Sequence, residues 1–124
     1  MDDTKLQNIY NYRRVSERIA TAGQPTAEQL AAVAEAGCEV VINLGMHDDS
    51  YALSDERGVV ESLGLEYVHI PVEGQRPTRA DWKRFGQAMA ARQDRDLFVH
   101  CAANARVSVF VALDRVVRQG GAVD

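Results

Sequence analysis

The order of elements predicts an α/β domain with about four mostly parallel strands and helices on both faces. Three observations carry that expectation. Short apolar segments of strand length alternate along the chain with segments of helical periodicity. Turn-forming residues separate nearly all of them. The 124 residues suit one core, so residues 1–124 read as a single domain in which 1–15 form a partly ordered N-terminal extension.

The first strand candidate is "RIATAG" (18–23), a weak one. Thr26 follows as an N-cap, and "AEQLAAVAEA" places Leu30, Val33 and Ala34 on one helix face. Gly37 stands where that helix ends. "CEVVINL" (38–44) is short and β-branched, as in a strand covered on both faces. After the polar loop 45–53, Ser54 caps a helix running to Leu63, with Gly64 closing it. "LEYVHIP" (65–71) is the next strand, and loop 72–77 follows. Thr78 with Asp81 three residues on forms a capping box. Trp82, Phe85 and Met89 mark the core face of a helix reaching about Arg92. "DLFVH" (96–100) is the last strand, and a helix from about Arg106 to Arg118 ends at Gly120-Gly121.

Composition narrows the function classes. The net charge of −4 gives no general attraction to nucleic acid or an anionic membrane, so neither is expected as a partner. No segment has the length of a membrane span. The polar start "MDDTKLQNIYNYRRV" lacks the apolar core of a signal peptide. Cys38 and Cys101 form no C-x-x-C pair, which favours a reducing, cytoplasmic setting over a disulfide framework. His47, His69 and His100 lack metal-binding spacing, so no metal or organic cofactor is expected.

In a parallel α/β sheet, ligands bind beyond the carboxyl ends of the strands. Loops 23–25, 45–53, 72–77 and 101–105 share that edge. His47, Asp48, Asp49, Glu73, Arg76, Cys101 and Arg106 therefore converge on one rim. Cys101 follows a buried strand and precedes a helix, where backbone N–H groups and the helix dipole favour an anion and a thiolate. Arg106 adds a bidentate fork suited to a tetrahedral oxyanion. Residues 102, 103 and 105 are alanine, so the backbone can approach a ligand closely. Asn104 lies where the turn needs a positive φ, which Asn tolerates. A free cysteine is also an ordinary buried hydrophobe. An arginine in the first turn of a helix, however, calls for an anion to offset it.

At these residues the chain resembles the cysteine-dependent protein tyrosine phosphatase superfamily, with its signature H-C-x-x-G-x-x-R-[S/T]. More specifically, it resembles the small bacterial dual-specificity-like phosphatases related to the beta-lactamase-hydrolase-like group. The similarity runs through "RIATAGQPTAEQLAAVAEAGCEVVINL", "YVHIPV", "PTRADWKRF" and "VHCAANARVSVFVALDRV". It implies a phosphatase-like fold with the Cys101 strand central, and phosphate monoester hydrolysis through a phosphocysteine. Cys101 would be the nucleophile and Arg106 the phosphate clamp. His100 would order the loop, and Ala102, Ala103, Asn104, Ala105, Val107 and Ser108 would line the phosphate site. The partner would be a phosphorylated protein or small phosphate ester. Glu73 is the candidate general acid, with Asp48 and Asp49 as alternatives; a solvated loop carboxylate is an equally simple reading of Glu73. Arg76 reads as a substrate guide or an exposed loop residue.

Two departures bear on activity. Asn104 replaces the signature glycine, and Arg106 comes one residue early, with Val107 in the usual arginine place. The alternatives are a phosphate-binding module with weak or no turnover and, since four residues between cysteine and arginine is also the rhodanese spacing, a sulfurtransferase.

Overall fold

The β-branched and apolar runs pair into one sheet whose inner strands bury both of their faces. The computed structural model describes residues 1–46, 51–73 and 76–118. The strands are β1 (Arg13–Arg14), β2 (Ile19–Ala22), β3 (Val40–Asn43), β4 (Glu66–His69) and β5 (Leu97–His100). Their order across the sheet is β1-β2-β5-β3-β4, antiparallel only at β1–β2. The expected strands are thus joined by a fifth, two residues long, from the N-terminal extension.

Four α-helices cover the sheet among the described residues: α1 (Ala27–Glu35), α2 (Glu56–Ser62), α3 (Arg79–Ala90) and α4 (Ala105–Arg118). Alternation along β5 divides the core in two. Leu97, Val99 and Cys101 pack with Phe85 and Met89 of α3 and Val107, Phe110 and Val111 of α4. Phe98 packs on the other face with Leu30 and Val33 of α1, Val60 of α2, and Leu6 and Ile9.

The caps explain the helix starts. Thr26 and Thr78 each accept from the backbone three residues on, and Gln29 and Asp81 reciprocate. Helix α2 begins differently from expectation. Asp55, not Ser54, is its cap, held in the left-handed region at φ 52° with its carboxylate accepting from Gly58 N. Asp tolerates that conformation better than most side chains, and its longer reach suits the sharp entry. Gly37 (φ 99°) and Gly64 (φ 81°) end α1 and α2 as expected. The predicted α4 end at Gly120-Gly121 lies outside the described residues. No described helix is long and apolar enough to cross a membrane.

Candidate active site

Parallel pairing brings Ala22, His100, Asn43 and His69 side by side in register at the carboxyl edge. Cys101 directly follows β5, the central strand. It is only 1% exposed. Its neighbour His100 points to the opposite face, because successive side chains on a strand alternate.

The loop after Cys101 is tied back to the N-terminal part of the chain. Ala102 O accepts from Gln24 N at 2.9 Å. Ala103 O accepts from Asn11 Nδ2 at 3.0 Å. Asn104 sits at φ 68°, the left-handed conformation expected of it. Its Nδ2 donates to Asn11 O at 2.8 Å and to Thr21 Oγ1 at 3.1 Å. Asn11, itself at φ 53°, and Asn104 therefore clasp each other's segments reciprocally. Gly23 lies so close that a Cβ there would come within 2.6 Å of Ala102 O. The carbonyls of Ala102 and Ala103 are thus both engaged on this outer side.

Arg106 folds back over the sheet edge. Its Nη1 donates to Leu44 O at 3.3 Å and to Val72 O at 3.0 Å, the carbonyls that follow β3 and β4. These partial negative charges supply part of the offset that a cation at a helix N-terminus requires. Its Nε and Nη2 have no partner among the described residues, so the fork retains donors for an anion.

The remaining expected residues are distributed as follows. Glu73 is exposed at the same rim, one residue beyond Val72, and its carbonyl accepts from Arg76 N at 3.1 Å. Ala102 is half-buried, Ala103 and Ala105 are exposed, and Val107 is wholly buried in the core. Ser108 is exposed, and its hydroxyl donates to Asn104 Oδ1 at 3.1 Å. Its hydroxyl is thereby committed to ordering the loop. His47, Asp48 and Asp49 lie outside the described residues. Cys38 is buried, and burial pushes its thiol up to about 12.

Beneath the rim lies a polar network that loop topology alone does not disclose. His100 Nε2 meets Glu56 Oε2 at 2.6 Å, with both residues almost completely buried. Glu56 Oε1 accepts from Gln24 Nε2 at 2.8 Å. Tyr67 also bonds Glu56, and its hydroxyl accepts from Asn43 Nδ2 at 2.9 Å. Asn43 Oδ1 takes Gly45 N at 2.7 Å, and His69 Nε2 donates to Gly45 O at 2.7 Å. Burial works to raise the Glu56 carboxyl, but the bonds from His100, Gln24 and Tyr67 outweigh it and hold the group below the usual carboxylate range. One signal in the sequence points to such a network, though not to Glu56 itself: a histidine ending an apolar strand is buried, and a buried imidazole requires a partner.

Comparison with known proteins accords with this architecture. Over residues 4–124 the chain matches the family described as PTP-NADK, DSP-PTPase phosphatase fused to NAD+ kinase. It is 30% identical over 106 residues to the beta-lactamase hydrolase-like protein of Xylella fastidiosa strain Temecula1, covering 83% of this chain and 24% of that protein. The Agrobacterium fabrum protein of the same description is 29% identical over 103 residues, covering 81% and 24%. The chain thus spans about a quarter of the length of these curated relatives. A crystal structure of a DUF442 phosphatase candidate from Shewanella putrefaciens CN-32 superposes with a TM-score of 0.91 at 34% identity, covering 98% of this chain and 80% of that one. TpbA of P. aeruginosa shares the fold, with a TM-score of 0.70 at 22% identity over 90% of this chain and 66% of that one. Because the family match takes in the sheet, the cysteine loop and α4 together, the chain belongs to the DSP-PTPase phosphatases of the kind fused to NAD+ kinase.

Proposed function

We propose that this chain hydrolyses phosphate monoesters through a phosphocysteine on Cys101. The observation that carries the reading is Arg106. Its hydrogen bonds to Leu44 O and Val72 O keep the guanidinium on the strand edge that bears the cysteine, with donors to spare. Arg106 and the amides of the loop leading into α4 hold the phosphoryl oxygens. The Cys101 thiolate forms an S–P bond as the ester P–O bond breaks, and Glu73 gives its proton to the leaving oxygen. Water then attacks phosphorus, releasing inorganic phosphate and the thiolate. The substrate class is a phosphorylated protein or small phosphate ester; the fold relative TpbA has been crystallised with phosphotyrosine.

The 1% exposure of Cys101 favours a second reading, a phosphate-binding module with little or no turnover, because attack requires an uncovered sulfur. Hydrolysis of an aryl phosphate separates the two. Turnover abolished by Cys101→Ser and reduced roughly 100-fold by Arg106→Lys supports the enzyme, since lysine keeps the charge but loses the fork. Tungstate that raises the melting temperature without any turnover supports the binder. Transfer of sulfur from thiosulfate to cyanide, with no phosphate release, would mark a sulfurtransferase.

A further inference from the structure

We infer that Glu56 is a positioning residue for the Cys101 loop, holding His100 with a proton on both ring nitrogens directly behind the nucleophile. The effect on turnover rests on the phosphatase reading; the proton count does not.

The argument starts from the two neighbours of the His100 ring. Nε2 is 2.6 Å from Glu56 Oε2, and Nδ1 is 3.4 Å from Cys101 O, a long hydrogen bond. A carbonyl oxygen only accepts, and so does an ionised carboxylate. Satisfying both therefore takes an N–H on each side of the ring. The alternative is a protonated Glu56 donating to Nε2. Apart from the contested proton, Gln24 Nε2 donates to Oε1 of that carboxyl group and Tyr67 also bonds it, and both favour its ionised form. A buried carboxylate needs a compensating charge. Among the described residues, the remaining groups around the pair are few. Tyr67 comes from β4, Arg57 of α2 lies 5.0 Å from the Tyr67 ring centroid, and Cys101 lies on the opposite face. Arg57 thus stands behind an aromatic ring, and His100 is the cation in direct contact.

Glu56 also reaches the loop by a second route. Gln24 gives its side chain to Glu56 and its backbone N–H to Ala102 O. One carboxylate consequently restrains two consecutive peptide units, Cys101 through His100 and Ala102 through Gln24.

The test combines ring-nitrogen NMR of the full chain at pH 7 with aryl phosphate kinetics. The wild-type His100 ring is expected to show two protonated nitrogens. Glu56→Gln is expected to turn one into a pyridine-type nitrogen. It should also lower kcat by roughly tenfold or more at unchanged KM, the scale of one charged hydrogen bond. Glu56→Asp keeps the charge and should retain the doubly protonated ring, which provides a second variant if Glu56→Gln fails to fold. A pyridine-type nitrogen on His100 in the wild type overturns the inference. So does a folded Glu56→Gln with unaltered ring signals or unaltered kcat. Absence of Cys101-dependent turnover in the wild type would instead count against the phosphatase reading, and the ring signals would still decide the proton count.

Discussion

Two cysteines of similar burial, 4% exposed at Cys38 and 1% at Cys101, differ in what surrounds them. Cys38 precedes β3 in an apolar setting that raises its thiol to about 12. Cys101 opens a loop whose following residues lead into a helix N-terminus, with Arg106 one turn away. We predict that iodoacetamide labels Cys101 faster than Cys38, whose thiol is held protonated by burial, and that phosphate slows the Cys101 reaction. Mass spectrometry of each peptide across pH reads this out; equal labelling of the two would remove the nucleophile. At this scale the sequence was informative where a residue's conformation follows from its own chemistry. Asn104 is the example, since its positive φ follows from its place in the turn. Its clasp with Asn11 could not be read, because the partner is 93 positions away. Glu56 escaped for a related reason. A carboxylate in a first helical turn looks solvated until the fold sets a buried histidine against it.

The helices were legible because their caps are local. Thr26 and Thr78 announce α1 and α3, and both have the reciprocal box. Thr78→Ala is expected to destabilise the protein by about 1 kcal/mol, since Asp81 N loses its acceptor. Thermal or urea unfolding measures it, and an unchanged midpoint would mean that α3 is held by packing alone. Strands were legible by their apolar runs, but each proved shorter than its run. The flanking residues still bond the neighbouring strands, as Leu44 N does to His100 O and Ile70 N to Asn43 O, at the points where the regular pairing runs out. β1 was illegible: two arginines carry no strand signature, and they pair only because β2 offers a free edge.

The N-terminal extension belongs to the core of the molecule. Leu6 is fully buried and Ile9 nearly so, both against the α1/α2 face. Leu6→Ala should cost about 2–5 kcal/mol, the range for a large-to-small change in a packed interior. Its unfolding midpoint should fall accordingly, and anion protection at the Cys101 loop should weaken with it, because Asn11 follows closely in the same segment. Retained stability would show that residues 1–15 are dispensable. Gly23→Ala tests the same junction from the other side. Its Cβ would meet both Ala102 O and the Tyr10 ring, so it should lower the melting temperature and the rate of turnover together.

The position of β5 carries a consequence for how the protein is made. The fifth strand in sequence is the middle strand in space, and β2 and β3 meet only through it. Until β5 is made, β2 and β3 have no neighbour in common, and each leaves an edge awaiting the same partner. Insertion of residues 97–100 closes the sheet from the centre, and the same event delivers Cys101 to its place. A ribosome that stops short of this strand leaves two exposed edges open to aggregation rather than a smaller working protein.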